Sequence, residues 1–271
     1  MDTLLPLGTG AARAIHYYNT CFLLNGPQGR LLVDAGGGNG ILRQLHLAGI
    51  GLQEITDIFV SHEHIDHCLG VIWIMRFSAQ LFLKGLRPLP LRIHCHVELA
   101  RKLQTICELT LAPSHLTPLG SHITFCPVTD GEQREIAGHT VTFLDTHSAK
   151  AEQYGFLMES PEGQRIVFTG DEPCKPELHS RITGVDWLFH EAFCLDAHDD
   201  IFHPRSIGHD TVKRASQLAE SCGVKNLVLW HTEDNETVGT RKARYTEEAR
   251  HYFNGNVYVP DDLEVIRLTT R

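Results

Sequence analysis

The chain has 271 residues, 42% hydrophobic and 21% charged, which is the balance of an ordinary globular protein and enough length for one large domain. A net charge of -9, with histidine neutral, argues against a non-specific nucleic-acid binder, which works through a basic face. No apolar run approaches the roughly 18 residues of a membrane span, and Met1-Asp2-Thr3-Leu4 lacks the basic and apolar regions of a secretory leader, so a cytoplasmic protein without a membrane partner is expected.

Strands come first in chain order. Runs rich in Val, Ile and Phe, bounded by Gly, Pro and Asp, predict strands at 31–33, 55–60, 91–95, 123–128, 140–144, 154–158 and 166–169. Others follow at 187–190, 227–230, 257–259 and 263–268. Helical spacing predicts helices over 41–48, ended by Gly49, and over 69–80 and 97–109. A helix over 211–222 puts Val212, Ala215, Leu218, Ala219 and Cys222 on one face, with Gly223 as its stop, and a charged helix covers 241–253. Many strands with interspersed helices predict a layered α/β domain of mixed sheets. The eight cysteines (Cys21, Cys68, Cys95, Cys107, Cys126, Cys174, Cys194 and Cys222) form no C-x-x-C pair. They are expected to be free, small side chains.

The strongest chemical signal is Ser61-His62-Glu63-His64-Ile65-Asp66-His67, which follows an apolar strand. Imidazole and carboxylate suit zinc and its neighbours. In an extended turn His62 and His64 project to one side, while Asp66 and His67 reach a second point, so one loop can serve two ions. It cannot complete two coordination spheres alone. His147, Asp171 and His231 each stand at the C-terminal tip of a predicted strand and are the candidates to complete them.

This pattern resembles the metallo-β-lactamase superfamily over nearly the whole chain. Leu31-Leu32-Val33-Asp34-Ala35-Gly36 is similar to its first motif, whose aspartate supports the metal loop. The resemblance implies one four-layer αββα domain over residues 1–271, two mixed sheets, and two divalent ions: zinc, with manganese or iron as alternatives. It implies that His62, His64 and His147 hold the first ion, that Asp66, His67 and His231 hold the second, and that Asp171 bridges them. Within the superfamily the ribonuclease Z branch is nearest. Leu7-Gly8-Thr9-Gly10 resembles its opening loop. His190-Glu191-Ala192-Phe193 and Gly208-His209-Asp210-Thr211 resemble two further motifs, with Phe193 in place of a threonine and Asp210 in place of a serine. By that likeness Glu191 and His209 form a proton relay beside the metals. The long Gly- and Pro-rich arm with which that branch grips transfer RNA has no counterpart here, and Thr232-Glu233-Asp234-Asn235-Glu236 is acidic.

The expected enzyme is a phosphodiesterase whose hydroxide lies between the two ions, with Asp66 orienting it and His209 protonating the leaving oxygen. Its substrate is a small-molecule or nucleotide-like ester. Three alternatives stay open: a ribonuclease Z-type endoribonuclease acting on transfer RNA, a hydrolase of a lactone, thioester or sulfate, and a non-catalytic metal-binding protein. A homodimer is the assembly left open. Gly36-Gly37-Gly38 is read as a tight turn beside the metal site, His94 and His96 as structural or exposed, and His198, Asp199, Asp200 and His203 as a loop over the site.

Overall fold

Side-chain alternation along the strands decides the layering. In the strand Cys21–Gly26, Cys21 and Leu23 join one buried cluster while Phe22 and Leu24 join another. In the strand Asn226–Trp230, Leu227 and Leu229 face a third cluster while Val228 and Trp230 face the second. Successive side chains point to opposite faces of a sheet, so both strands are apolar on both sides and must lie between two layers. The computed structural model, which describes residues 2–269, shows that arrangement.

Among the described residues fourteen strands form two seven-stranded sheets. The first sheet contains β1 (Thr3–Gly8), β2 (Cys21–Gly26), β3 (Gly29–Val33), β4 (Asp57–Phe59), β5 (Leu91–Cys95) and β6 (Ile123–Pro127), with the last strand, β14 (Ile266–Arg267), at its edge in the order β14-β1-β2-β3-β4-β5-β6. The second contains β7 (Gln133–Ile136), β8 (His139–Asp145), β9 (Tyr154–Glu159), β10 (Arg165–Phe168), β11 (Trp187–Glu191), β12 (Asn226–Trp230) and β13 (Asn256–Tyr258), in the order β13-β12-β11-β10-β9-β8-β7. Each sheet is antiparallel through one half and parallel through the other, with β3-β4-β5-β6 and β10-β11-β12-β13 parallel. Helices α1 (Gly40–Leu47), α2 (Ile65–Leu83) and α3 (Val97–Thr110) cover the outer face of the first sheet. Helices α4 (Val212–Ser221) and α5 (Arg241–Arg250) cover the outer face of the second. This is the expected αββα sandwich.

Aromatic rings fill the layer between the sheets. Phe22 stacks on Trp230 with centroids 4.6 Å apart, and meets Phe168 edge-on at 5.3 Å. Phe59 meets Phe156 edge-on at 5.6 Å. These geometries are the favoured ones for aromatic pairs. All eight cysteines are free, six of them buried.

Three strands escape the sequence-based reading: β1, β2 and β7. Pro6 lies inside β1, and a proline disfavours a central strand because it donates no hydrogen bond. Here the pairing of β1 with β2 shifts register between Pro6 and Gly8, and this irregularity accommodates the missing donor. The helix expected from residue 69 begins at Ile65, so Asp66 and His67 belong to its first turn and not to an extended loop.

His94 is structural, as expected, through a network that packs the edge of the first sheet. Asp57 sits opposite Arg92 across β4 and β5 and accepts two 2.7 Å bonds from it. His94 adds a 2.9 Å contact to the same carboxylate, and Arg134 lies 3.0 Å from the other ring nitrogen. Burial alone would raise the Asp57 pKa, but the bonds from His94 and Arg92 prevail and hold it at about 2. A carboxylate whose folded pKa lies below its unfolded value contributes stability above about pH 4, and that stability is lost as pH falls toward 2. Asp57→Asn should therefore cost about 2 kcal/mol at pH 7, and the deficit should shrink below pH 4. Urea unfolding of both proteins at pH 7 and pH 3 checks this, and an equal deficit at both values would count against it.

Candidate metal centre

The C-terminal ends of β3, β4, β10 and β12 meet at one edge of the sandwich, and the chain there is held in an uncommon shape. Asp34, directly after β3, has φ +54°, and His231, directly after β12, has φ +56°. Non-glycine residues adopt this left-handed region at an energetic disadvantage, and such positions cluster at functional sites. Asp34 organises the metal loop. Its carboxylate accepts the Ser61 amide (2.8 Å) and the Ser61 hydroxyl (2.7 Å), and its Oδ2 lies 2.8 Å from His67 Nδ1. A carboxylate on one ring nitrogen fixes the other nitrogen's direction and basicity. Helix α2 reaches this turn because residue 70 is glycine: a Cβ there would lie 1.9 Å from the Ala35 carbonyl oxygen.

The loop after β4 runs extended from Val60 and turns into α2 at Ile65. His62 and His67 are buried, as are Asp66, Asp171 and His231. Three overlapping groups of ligand atoms form among the described residues: His62, His64 and Asp171; Asp66, His67 and His231; and Asp171, His209 and His231. The first two share no residue. Asp171 stands between them. Its Oδ2 lies 3.6 Å from His62 Nε2, 3.6 Å from His67 Nε2 and 3.8 Å from His231 Nε2. Asp66 Oδ2 lies 3.3 Å from His67 Nε2 and 3.7 Å from His231 Nε2.

These atoms have the chemistry of cation ligands. Among the described residues, His67 Nε2 and His231 Nε2 are buried and lack any hydrogen-bond partner. Buried polar atoms seldom go unpartnered, and these two both point at carboxylates that a cation would draw in. Burial drives the His62 pKa well down, with Asp171 opposing, so its ring is held neutral and ready to donate a lone pair. Burial would raise Asp171, but the imidazoles around it prevail and keep it ionised. His67 differs from His62: burial would lower its pKa, but Asp66 and Asp34 prevail and hold it well up, so a cation bound there would displace a proton from this ring. Neutral imidazoles and ionised carboxylates are the forms that bind divalent metals.

His147 does not join this group. Its side chain is 48% exposed, its backbone amide donates to Asp145 (2.7 Å), and its ring lies 3.8 Å from the same carboxylate. Like Asp34 and His231 it has positive φ, +54°. Gln153 comes to the first group instead, with Nε2 2.5 Å from Asp171 Oδ1 and 3.2 Å from His62 Nδ1. No sequence pattern pointed to Gln153, because a glutamine before a strand is an ordinary surface residue.

Glu191 and His209 come together as neighbours and not as a hydrogen-bonded pair. Glu191 is fully buried at the end of β11, and burial pushes its pKa well up. It accepts the amides of Asp210 (2.6 Å) and Phe193 (3.1 Å), and its Oε2 lies 3.7 Å from His209 Nδ1. The His209 ring stacks on Phe193 and lies 5.0 Å from the His231 ring, which brings its ligand atom among those of Asp171 and His231. His190 ties this strand to the Asp171 loop by accepting the Cys174 amide (3.2 Å). His198, Asp199, Asp200 and His203 lie in short helical turns and form no metal-ligand group among the described residues. Gly36-Gly37-Gly38 is the expected turn beside the site: Gly36 has φ +70°, and Tyr18 Oη donates to the carbonyls of Ala35 (2.9 Å) and Gly38 (3.0 Å).

The cleft above these residues has a volume of about 420 Å³. Its walls are His64, Asp66, Asp171, His209 and His231, and Lys150 and the exposed Ile65 and Ile207 also line it. Fold and site together define a metal-dependent hydrolase of the metallo-β-lactamase superfamily. The sequence profile of the family described as Anti-Pycsar protein Apyc1 matches residues 2–243, and the chain belongs to that family. It is similar to the ribonuclease Z of Bradyrhizobium sp. (strain ORS 278), 28% identical over 276 residues, with 85% of this chain and 89% of the relative covered. Two solved structures share the fold. YhfI from Bacillus subtilis superposes with a TM-score of 0.81 at 18% identity, covering 98% of each chain. The short form of human tRNase Z does so with 0.75 at 22% identity, covering 100% of each.

Proposed function

We propose that this hydrolase is a dinuclear phosphodiesterase acting on a small or nucleotide-like diester. The observation that carries the two-ion reading is the position of Asp171 Oδ2, 3.6 to 3.8 Å from imidazoles of both ligand groups. His62, His64 and Asp171 would hold one ion and Asp66, His67 and His231 the other, and His147 is assigned to the first by resemblance alone. When bound, two divalent ions would supply Lewis acidity at this site. Asp66, ionised beside His67 and His231, also serves as the hydrogen-bond acceptor that orients the attacking group. His209 lies on the cleft wall where a leaving oxygen departs, and it donates the proton. Glu191 holds the 209–211 turn through its two amide bonds and keeps His209 in place.

Phosphodiester chemistry, as opposed to other esters, is supported by the similarity to ribonuclease Z over 85% of the chain. That same similarity favours a second reading, cleavage of RNA. The acidic net charge of -9 weighs toward the smaller substrate. With zinc or manganese restored, the protein should cleave bis(p-nitrophenyl) phosphate at least about tenfold faster than the β-lactam nitrocefin, and a precursor transfer RNA should bind with only non-specific affinity, roughly 10⁻⁴ to 10⁻⁶ M at physiological salt. Nitrocefin turnover without diester cleavage would overturn the phosphodiesterase reading. Efficient site-specific cleavage of the RNA would replace the small substrate by RNA.

A further inference from the structure

Lys150 has no part in the ligand set, yet it is the one lysine or arginine among the described residues that line the metal cleft. A mobile surface lysine would swing into water. This one is laid down over the cleft. Its Nζ lies 3.4 Å from the carbonyl oxygens of both Ile207 and Gly208. Gly208 makes the room: a Cβ there would sit 2.7 Å from Lys150 Cε and 3.0 Å from Nζ. The glycine has φ +75° and leads directly into His209, so the lysine stem rests on the turn that presents the candidate acid.

The ammonium is only partly neutralised there, by a long ion pair. The nearest carboxylate, Glu172, is 3.7 Å away, beyond hydrogen-bond reach. Glu172 is buried, receives the Ser148 hydroxyl at 2.5 Å and faces a second ammonium, Lys175, at 3.8 Å. One carboxylate therefore serves two lysines, which leaves one positive charge in excess over the Lys150–Glu172–Lys175 group. An ammonium carries three donors, and the two carbonyl contacts at 3.4 Å are at the long end of hydrogen bonding. Lys150 thus retains donor capacity as well as charge.

We propose that Lys150 is the residue that makes this cleft select anionic esters. Its ammonium receives a phosphoryl oxygen of the substrate, on the side of the Ile207–Gly208 turn. The identity of that anion as a phosphodiester rests on the function proposed above, whereas the share of anion preference that Lys150 adds to that of the ions is read on Lys150 itself. The alternative is a strut that only props the 207–208 turn.

The test uses the metal-reconstituted full chain and its Lys150→Met and Lys150→Arg variants, compared at equal metal content. Three quantities are read: kcat/KM for bis(p-nitrophenyl) phosphate, kcat/KM for the neutral p-nitrophenyl acetate, and the inhibition constant of inorganic phosphate. Lys150→Met should lower kcat/KM for the diester by roughly 10- to 100-fold, the range for a lost charge-assisted hydrogen bond, and raise the phosphate constant by a similar factor. The acetate should change by less than about threefold, and Lys150→Arg should recover most of both losses, because charge is kept. Equal losses on both esters, or a phosphate constant unmoved by Lys150→Met, would overturn the proposal and leave the strut. A wild type that cleaves acetate but no diester would sink the phosphodiesterase reading instead, and the phosphate constant would still decide the role of Lys150. A wild type that phosphate does not inhibit would overturn anion selection outright.

Discussion

Asp171→Ala is expected to empty both metal positions and to lower diester cleavage by more than about 10³-fold, because positioning and charge stabilisation by the ions are lost together. The carboxylate follows β10 on a buried loop, and its Oδ2 faces His62, His67 and His231 at 3.6, 3.6 and 3.8 Å. Removing it leaves three buried rings converging on a point without a negative charge. Two dications would then face only Asp66. Elemental analysis after reconstitution with zinc should find about two ions per chain in the wild type and fewer than one in the variant. Asp34→Asn makes the informative contrast. Asp34 touches the proposed ligand His67 at Nδ1, away from its Nε2, and the Ser61 turn that precedes His62. It should lower metal affinity by roughly 10- to 100-fold while leaving two positions to fill at high metal. A wild type that holds a single ion, or an Asp171→Ala variant that keeps two, would remove the bridging role.

How much of this was legible in the sequence depends on whether a residue acts through its own neighbours or through distant ones. The parallel strands β4, β10, β11 and β12 are buried on both faces, so their apolar runs stand out, and the ligands after them mark the site edge. His62, His64, Asp66 and His67 are close in sequence, and a local loop brings them together. β1 and β2 were hidden for opposite reasons: Pro6 speaks against a central strand, and Cys21-Phe22-Leu23-Leu24 lacks β-branched residues. The start of α2 was misplaced because Ile65, exposed on its first turn, breaks the helical pattern. Gln153 and Lys150 matter only through partners 18 to 91 residues away, and Lys150 also through the absent side chain of Gly208, which no periodicity records. His147 is the reverse case: a tip-of-strand histidine is easy to read, yet its half-exposed ring lies by the Asp145 carboxylate and outside the ligand groups among the described residues.

His209→Ala is expected to retain fold and metal and to lose roughly 10²- to 10⁴-fold in rate on diesters with poor leaving groups. The ring lines the cleft beside Asp171 and His231, packed flat on Phe193. Burial lowers its pKa, Lys150 adds to that, and Asp171 opposes it. A lowered pKa makes the protonated ring a stronger acid but a scarcer one at pH 7, so the wild-type rate on poor leaving groups should climb as pH falls toward 6. The deficit of the variant should shrink for p-nitrophenol and other leaving groups of low pKa, which depart with little protonation. Glu191→Gln separates two roles that the geometry keeps distinct. Its carboxylate is 3.7 Å from His209 Nδ1 but 2.6 Å from the Asp210 amide, so the direct bonds are to backbone. If Glu191 tunes the acid, its glutamine variant should show a milder copy of the graded His209→Ala deficit and a shifted pH profile. If it only pins the 209–211 turn, the loss should be flat across the leaving-group series, with melting temperature lowered. The measurement is a set of aryl diesters of graded leaving-group pKa, run for the three proteins at equal metal occupancy. A His209→Ala deficit that is the same for every leaving group would show that the imidazole positions the substrate and gives up no proton.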